Sequence, residues 1–338
     1  MKKIIYFDVE EYEKDFLTKN NEGIYNYKLI SEPLNSMTQI PNELLDAEII
    51  SVFTTSRVTA NVLKNFKNLK LIALRSVGFN HIDLEYCKAN GISVVNTPNY
   101  GNKSVAEFAF GLMLNVCRKI IPAETDYKNM IIKPETLMGT ELGGKTIGII
   151  GLGAIGAAFA RLAFGFDMKI LGYDLYPNKE LIEKYNIEYT DFETILKESD
   201  FISLHAPLTK DNFHLFNAEA FKKMKKNAVI INTARGELID SEALYNAITT
   251  GEILGAGLDV LESENTINDF DLVIGLNRLT KDELKNTLIN SRLFQLPNVI
   301  ITPHMAYNTN EAIERILNTT MENIKSFITD KVQNSVIK

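Results

Sequence analysis

Six residues, Gly151 to Gly156, form a glycine-rich stretch that reads Gly-Leu-Gly-Ala-Ile-Gly. They follow the apolar run Lys145–Ile150 and lead into a predicted helix, Ala157–Phe164. Glycines at this spacing permit a tight turn, close approach of a ligand to backbone N–H groups, and close packing of helix on strand. The partial positive charge at the start of the helix favours a diphosphate. The stretch therefore predicts a dinucleotide-binding loop.

Asp174 ends a second predicted strand, Lys169–Tyr173, at the distance from the loop (about 20 residues) that is typical of a ribose-binding acid. Its carboxylate would accept hydrogen bonds from the adenosine ribose hydroxyls and would repel a 2′-phosphate. The four residues after it, 175–178, include no cation that could pair with such a phosphate. The predicted cofactor is therefore NAD and not NADP.

Three further side chains, Arg235, Glu264 and His304, follow predicted strands. A histidine titrates near neutral pH and suits proton transfer to a carbonyl oxygen as hydride reaches the carbon. A carboxylate on its other ring nitrogen orients the ring and raises its pKa. An arginine holds a substrate carboxylate in a planar fork. Together these residue types predict nicotinamide-dependent reduction of a keto acid.

Each of the three side chains also has a structural interpretation. Arg235 could be a surface ion-pair partner, Glu264 a solvated loop acid and His304 a helix cap. His205 is the other histidine at a predicted strand end, and we interpret it as structural or as lying beside the cofactor. The remaining two histidines, His81 and His214, are interpreted as structural.

The elements that must position these residues alternate between short apolar runs and helical segments. Predicted strands of the first part of the chain are 4–7, 27–30, 49–53, 71–74 and 93–95, and those that continue the nucleotide unit are 201–204, 228–232, 257–260 and 299–302. Such alternation is typical of parallel sheets covered on both faces. The predicted fold class is α/β, with two Rossmann-like, doubly wound parallel-sheet domains.

The last predicted helix, Asn310–Ile328, carries an apolar stripe and is expected to pack on the first domain. The domains are therefore predicted as 1–101 with 303–338, which binds substrate, and 102–302, which binds NAD. A second apolar helix, Ser104–Ile120, carries a stripe that could be core or dimer interface, and core is favoured. Residues 265–297 are predicted to be an insertion over the cleft, helical around 281–288.

Composition excludes some classes of function. The chain has 338 residues, 45% of them hydrophobic, and a formal net charge of −7, which argues against a general nucleic-acid or membrane surface. Two cysteines indicate reduced, buried thiols and not a disulfide framework. Early acidic residues argue against a signal peptide, and no apolar run reaches the length of a membrane span. We expect a cytoplasmic protein without a metal site.

With these residues in view, the chain resembles the D-isomer-specific 2-hydroxyacid dehydrogenase family over nearly its whole length. The segments that carry the resemblance are Gly151–Gly156 with Asp174, His205–Thr209, Ile231–Gly236, Leu258–Val260 with Glu264, and Thr302–His304. So many matches in one order are highly specific.

The resemblance implies roles for individual residues. It identifies Arg235 as the substrate-binding arginine, Glu264 as the orienting acid and His304 as the acid/base. The implied cofactor contacts are Gly151, Gly153, Ala154, Ile155, Gly156, Asp174, Ala206, Pro207, Asn212, Thr233, Ala234, Arg235 and Asp259. The implied substrate contacts are Val77, Gly78, Tyr100, Arg235 and Tyr307.

Within the family, the segment Arg75–Gly78, Tyr100 and Tyr307 resemble the D-lactate dehydrogenase branch. That resemblance implies reduction of pyruvate to D-lactate by a homodimer. Met305 and Phe79–Asn80 depart from the branch pattern and leave the size of the substrate side chain open. Glyoxylate, hydroxypyruvate or a branched-chain keto acid remain alternatives, as does an NAD-sensing protein similar to the transcriptional corepressors of the family.

Overall fold

The computed structural model describes residues 2–34, 40–264 and 280–337. The chain divides into two compact units, Met1–Tyr100 with Thr309–Lys338, and Gly101–Asn308. The first unit is thus discontinuous in sequence, and His304 belongs to the second. Which unit binds substrate and which binds cofactor stays a prediction.

The first unit is built on a five-stranded parallel sheet in the order β2-β1-β3-β4-β5. Its strands are β1 (Lys3–Tyr6), β2 (Asn26–Leu29), β3 (Ile49–Val52), β4 (Leu71–Leu74) and β5 (Ser93–Val95). Its helices up to this point are α1 (Glu11–Asn21), α2 (Ala60–Leu63) and α3 (Leu84–Ala89), with a 3₁₀ turn at Asn42–Leu44. The central strands β3 and β4 are fully buried, as expected of apolar runs covered on both faces. The five predicted strands are confirmed.

The second unit is built on a seven-stranded parallel sheet in the order β12-β11-β10-β9-β6-β7-β8. Its strands are β6 (Thr146–Ile150), β7 (Lys169–Tyr173), β8 (Glu188–Tyr189), β9 (Phe201–Leu204), β10 (Val229–Asn232), β11 (Gly255–Leu258) and β12 (Val299–Ile301). From β6 the chain continues to one side through β7 and β8, and returns to the other side from β9 onward. Ligands of doubly wound sheets bind where the strand order reverses in this way, which here lies between β6 and β9. The predicted fold class is confirmed.

The helices of the second unit cover both faces of its sheet. They are α4 (Asn102–Arg118), α5 (Ile120–Lys128), α6 (Ala154–Gly165), α7 (Lys179–Tyr185), α8 (Phe192–Glu198), α9 (Ala218–Lys223), α10 (Ser241–Thr249) and α11 (Lys281–Leu293), with 3₁₀ turns at Pro134–Leu137 and Gly236–Leu238. Leu112 and Val116 of α4 are buried against the sheet, which confirms the core interpretation for these two residues, whereas Val105 and Phe108 of the same stripe are only partly buried. Sequence reasoning missed α5, which begins after Lys119 adopts a left-handed conformation (φ 51°) and ends α4.

The last helix, α12 (Asn310–Ile328), packs in the first unit. Leu317, Met321 and Ile324 are buried there against residues of β1, β3 and β4. The apolar stripe read from the sequence is therefore the packing face. Of the predicted insertion, residues 265–279 lie outside the described part of the chain, and the helix expected around 281–288 is α11.

Within the described residues, no helix is both long and apolar enough to cross a bilayer. Nor does this part of the chain bring three or more metal-ligating side chains into a group that could hold an ion.

Candidate active site

The glycine-rich loop connects β6 to α6, and its three glycines meet different surroundings. Gly151 has φ 87°, and a Cβ there would lie 2.6 Å from the backbone nitrogen of Ala206. A Cβ on Gly156 would overlap the carbonyl oxygen of Gly151, so α6 packs tightly on the loop. A Cβ on Gly153, the residue before α6, would meet no atom within 4 Å. Two glycines thus permit close packing, and the third faces open space in which a diphosphate fits.

Two buried polar atoms that follow strands of this sheet have no hydrogen-bond partner in the described part of the chain. They are Oγ1 of Thr233, after β10, and Nδ1 of His205, after β9. Buried polar groups nearly always have a partner, so orphaned atoms at a sheet edge indicate a missing polar ligand. The open face of Gly153 and these atoms fit a bound dinucleotide.

Asp174 has a second role that the sequence did not reveal. Its Oδ2 accepts a hydrogen bond from the backbone N–H of Leu152 at 2.6 Å, and its Oδ1 accepts one from Tyr176 at 2.7 Å. The carboxylate therefore helps to shape the glycine-rich loop, and its role toward a ribose stays a prediction.

Two substitutions at this position separate the two roles. Asp174→Asn removes the charge but keeps an oxygen that can accept from Leu152, whereas Asp174→Ala also removes the loop contact. We expect the Asn variant to narrow the preference for NADH over NADPH, because repulsion of the 2′-phosphate is lost. The Ala variant should in addition lose about tenfold or more in kcat/KM for NADH, the value of a hydrogen bond to a charged group. Steady-state kinetics with both cofactors would test this, and equal kcat/KM for both in the unaltered protein would contradict it.

Asn212 shapes the segment that follows β9. Its Oδ1 accepts from the backbone N–H of Thr209 at 2.7 Å, and its Nδ2 donates to the carbonyl of Pro207 at 2.8 Å. Ala206, in the same segment, is the residue against which Gly151 packs. The side chain of Asn212 is thus engaged within its own loop, beside the glycine-rich loop.

Asp259, directly after β11, organises the turn that carries His304. Its Oδ1 accepts from the hydroxyl of Thr302 at 2.6 Å and from the backbone N–H of Met305 at 2.9 Å, and its Oδ2 accepts from Ala306 at 2.8 Å. Its own carbonyl accepts from the backbone N–H of His304 at 2.9 Å. Burial raises the pKa of Asp259, although these hydrogen bonds oppose the shift. The contacts hold His304 in a left-handed conformation (φ 50°), which costs free energy in a non-glycine residue.

His304 and Glu264 form a hydrogen-bonded pair. The Nδ1 of His304 lies 2.8 Å from Oε1 of Glu264, and Oε2 of Glu264 accepts from the backbone N–H of Leu261 at 3.2 Å. Burial lowers the pKa of His304, but the hydrogen bond and charge of Glu264, with the charge of Asp259, outweigh it, so the pKa is raised. The side chain of His304 is 43% exposed. Its Nε2 has no partner among the described residues, so the atom is open to a ligand.

Arg235, after β10, is half-buried and forms no ion pair with any described carboxylate. Its Nη1 donates a hydrogen bond to the carbonyl of Ala234 at 2.6 Å, and the remaining donors of the guanidinium are available. The side chain of Asn232, fully buried, donates to the carbonyl of Arg235 at 2.8 Å and accepts from Ala234 at 3.0 Å, which fixes this turn. The charge of Arg235 lowers the pKa of His304.

Gly236 connects the turn of Arg235 to the loop of Glu264. A Cβ on Gly236 would overlap the peptide that joins Leu261 to Glu262, so the two segments are in direct contact. Strands β10, β11 and β12 are neighbours in the sheet, and their carboxyl ends meet at one edge. The structure therefore brings Arg235, Glu264 and His304 together.

The structural interpretations of these three residues do not hold. The cap of α12 is Thr309, whose hydroxyl accepts from Ala312, and not His304. Glu264 is only 27% exposed and both of its carboxylate oxygens accept hydrogen bonds. A half-buried arginine without a carboxylate partner is a candidate anion site.

Val77 and Gly78 lie in a loop after β4 of the first unit. The carbonyl of Ser76 accepts from the backbone N–H of Thr97 at 3.0 Å, and that of Val77 accepts from Nδ2 of Asn96 at 2.8 Å. The carbonyl of Gly78 accepts from the hydroxyl of Ser76 at 2.7 Å. The backbone N–H groups of Val77 and Gly78 have no acceptor in the described part of the chain. Successive free N–H groups of this kind suit an anion.

The two tyrosines expected at the substrate lie in different units. Tyr100 belongs to the first unit, where its carbonyl accepts a hydrogen bond from Nε of Arg315 at 2.8 Å. Tyr307 belongs to the second unit, three residues after His304. Their roles toward a substrate stay predictions.

The other histidines differ from His304. Burial lowers the pKa of His205 to about 3 and that of His81 to about 4, so both rings are neutral at neutral pH. Nε2 of His205 contacts the hydroxyl of Ser203 at 2.9 Å, and its ring packs on Phe159. His214 contacts Glu262 at 2.9 Å.

Comparison with known proteins agrees with this geometry. Residues 110–306 match the family described as "D-isomer specific 2-hydroxyacid dehydrogenase, NAD binding domain". A hydroxypyruvate reductase of Thermotoga maritima is 40% identical over 80% of this chain and 81% of its own length. The D-lactate dehydrogenase of Escherichia coli is 35% identical over 96% of both. The crystal structure of D-lactate dehydrogenase from Aquifex aeolicus with NAD and lactic acid superposes with a TM-score of 0.86, at 36% identity and 99% coverage of both chains.

Proposed function

Because the chain belongs to the D-isomer-specific 2-hydroxyacid dehydrogenase family, and is thus an NAD-dependent oxidoreductase, we propose that it reduces pyruvate to D-lactate. The single observation that carries the proposal is the His304–Glu264 pair, 2.8 Å apart, with the charge of Arg235 acting on the same ring. Pyruvate as the substrate is further supported by the likeness to two D-lactate dehydrogenases.

In this proposal His304 is the acid/base. Nδ1 is engaged with Glu264, so Nε2 is the nitrogen that holds the proton for the substrate oxygen. The raised pKa keeps the ring protonated at the start of reduction, and the proton leaves Nε2 as the carbonyl becomes a hydroxyl. Glu264 orients the ring through its contact with Nδ1.

Arg235 binds the substrate carboxylate. Its free donors can bond both oxygens of the carboxylate in one plane, which aligns the adjacent carbonyl. The backbone N–H groups of Val77 and Gly78 in the first unit stay predicted substrate contacts. The chemistry supplied by NADH, when bound through the glycine-rich loop and Asp174, is hydride for C2 of the keto acid.

The pH dependence of this reaction follows from the hydrogen-bonded pair of His304 and Glu264. Reduction requires protonated His304 and should fall as the pH rises through its raised pKa, whereas oxidation of D-lactate requires the neutral ring and should rise over the same range. Glu264→Gln removes the charge that raises the pKa. We therefore expect the basic limb of kcat/KM for pyruvate to move to lower pH in this variant.

A matched control for that experiment is Glu219→Gln. Glu219 is an exposed acid of α9 in the same unit, paired with Lys222, and its loss should leave the profile in place. A basic limb that stayed fixed or moved upward in Glu264→Gln would contradict the proposed pairing.

The substrate is tested by a panel of keto acids. NADH oxidation is measured with pyruvate, glyoxylate, hydroxypyruvate and a branched-chain 2-keto acid, and the product is assigned to the D or L series with a stereospecific coupling enzyme. We expect the highest kcat/KM with pyruvate and a D product. A higher value with hydroxypyruvate, the substrate named for the Thermotoga maritima relative, would replace pyruvate in the proposal. Absence of turnover with every acid would favour the NAD-sensing alternative.

The proposal includes a homodimer in the cytoplasm. Exposed apolar side chains on and after α5 support the dimer, since a surface of this kind is usually an interface. They are Ile120, Ile121, Tyr127, Met130, Ile132 and Met138. The cytoplasm is supported by the two buried free cysteines, Cys87 and Cys117. Sedimentation equilibrium of the wild type and of a Met130→Asp, Ile132→Asp double variant would test the dimer.

A further inference from the structure

A second histidine–glutamate pair lies beside the first. Nε2 of His214 is 2.9 Å from Oε1 of Glu262, and the side chain of Glu262 is only 11% exposed. Because a carboxylate can only accept, Nε2 of His214 carries the hydrogen of this bond. Glu262 is two residues before Glu264, so the contact fixes the loop that carries the orienting acid.

The same loop is held by three other contacts. Nδ2 of Asn290, a fully buried residue of α11, donates to the carbonyl of Glu262 at 2.9 Å. Nδ2 of Asn286 donates to the hydroxyl of Ser263 at 3.3 Å. Ser263 itself is left-handed (φ 59°), a conformation that persists only when its surroundings impose it. Gly236 packs against the peptide group that joins Leu261 to Glu262.

We propose that His214 is a positioning residue, which holds Glu264 against His304 through Glu262. The inference rests on the proposed function for its kinetic consequence, but the contact and its effect on His304 do not require turnover. The physical basis of this role is that a nearly buried carboxylate, here that of Glu262, costs free energy when it has no hydrogen-bond donor. When His214 is truncated, Glu262 loses this donor, and the loop that carries Glu264 loses one of the contacts that restrain it.

The imidazole rings of His304 and His214 have different charged neighbours. His304 interacts with Glu264, Asp259 and Arg235. His214 faces Glu262 and, at 3.9 Å from Nδ1, Asp240. Among the described residues His214 and His304 share no charged neighbour, so His214 would act on His304 through the loop and not through a shared partner.

The test is the titration of His304, measured by NMR on the full chain with bound NAD and labelled histidine rings. His214→Ala should lower the pKa of His304, in the same direction as Glu264→Gln and by less. The double variant His214→Ala, Glu264→Gln should show no further shift beyond Glu264→Gln alone, because residue 264 then carries no charge to hold against His304. His214→Gln, which keeps a donor for Glu262, should restore part of the pKa.

Two controls keep a positioning role apart from a structural one. Phe221→Leu, in the core of the same unit, should lower the melting temperature without moving the titration of His304. The kinetic counterpart is the pH at which kcat/KM for pyruvate begins to fall. In each variant this pH should shift in the same direction as the pKa of His304 measured by NMR. If His214→Ala left the pKa of His304 unchanged, or if the shifts of the double variant added, the proposal would be wrong. If the NMR shifts appeared but no keto acid were reduced, the proposed function would fail and the positioning role would stand.

Discussion

Replacement of His304 by Gln or Ala is expected to lower kcat for pyruvate reduction by roughly 10²–10⁴-fold, the contribution of a well-placed general acid. The reason is geometric as well as chemical. Nδ1 is engaged with Glu264, and Nε2 is left without a partner in the described part of the chain on a ring whose pKa is raised. Binding of NADH should change little, since none of the loop contacts at Gly151–Gly156 involves His304.

The matched variant for this result is His205→Gln. His205 is also a strand-end histidine, but burial lowers its pKa to about 3, so its ring is neutral at neutral pH and lacks the imidazolium proton that a general acid donates. Its orphaned Nδ1 lies beside the cofactor loop, and we expect its loss to act on KM for NADH more than on kcat. Single-turnover absorbance at 340 nm measures the chemical step in each variant. If His304→Gln kept nearly full turnover and His205→Gln lost it, His205 and not His304 would be the general acid.

Replacement of Arg235 is expected to have the second large effect. Arg235→Gln removes two charge-assisted hydrogen bonds to the substrate carboxylate, and at about 1.5–3 kcal/mol each this is roughly 10²–10⁴-fold in kcat/KM for pyruvate. Arg235→Lys keeps the charge but not the planar fork, so it should raise KM and lower kcat together, by less. Fluorescence titration should find NADH affinity close to that of the unaltered protein.

A second readout tests whether the charge of Arg235 acts on His304. The positive charge of Arg235 lowers the pKa of His304, so Arg235→Gln should move the basic limb of reduction to higher pH, opposite to Glu264→Gln. Equal weakening of NADH and pyruvate binding would assign Arg235 to the cofactor or to the fold instead.

Much of the architecture was predictable from the sequence because its causes are local. Short apolar runs such as Leu71–Leu74 favour strands buried on both faces, and the structure has a strand within two residues of each predicted position. The apolar stripe of α12 and the glycine spacing at 151–156 are likewise patterns that lie within one short stretch of sequence. Strand β8 was missed because Glu188–Tyr189 is two residues long and has no pattern to detect.

The types of the candidate site residues were also readable from the sequence. Arg235, Glu264 and His304 follow strands, and the carboxyl ends of neighbouring parallel strands meet at one edge. The sequence could therefore predict that they come together without knowing their contacts.

What only the tertiary structure decided is how those residues are held. Asp174 bonds the loop that precedes it, Asp259 ties the turn of His304 across more than 40 residues, and His214 reaches Glu262 across 48. Such contacts depend on the order and register of the strands, and no spacing in the chain encodes them. The raised pKa of His304 is likewise a property of the assembled site, because burial and Arg235 lower it while Glu264 and Asp259 raise it. The sequence determined which groups are available for chemistry, whereas the packing of distant segments decided their geometry and protonation.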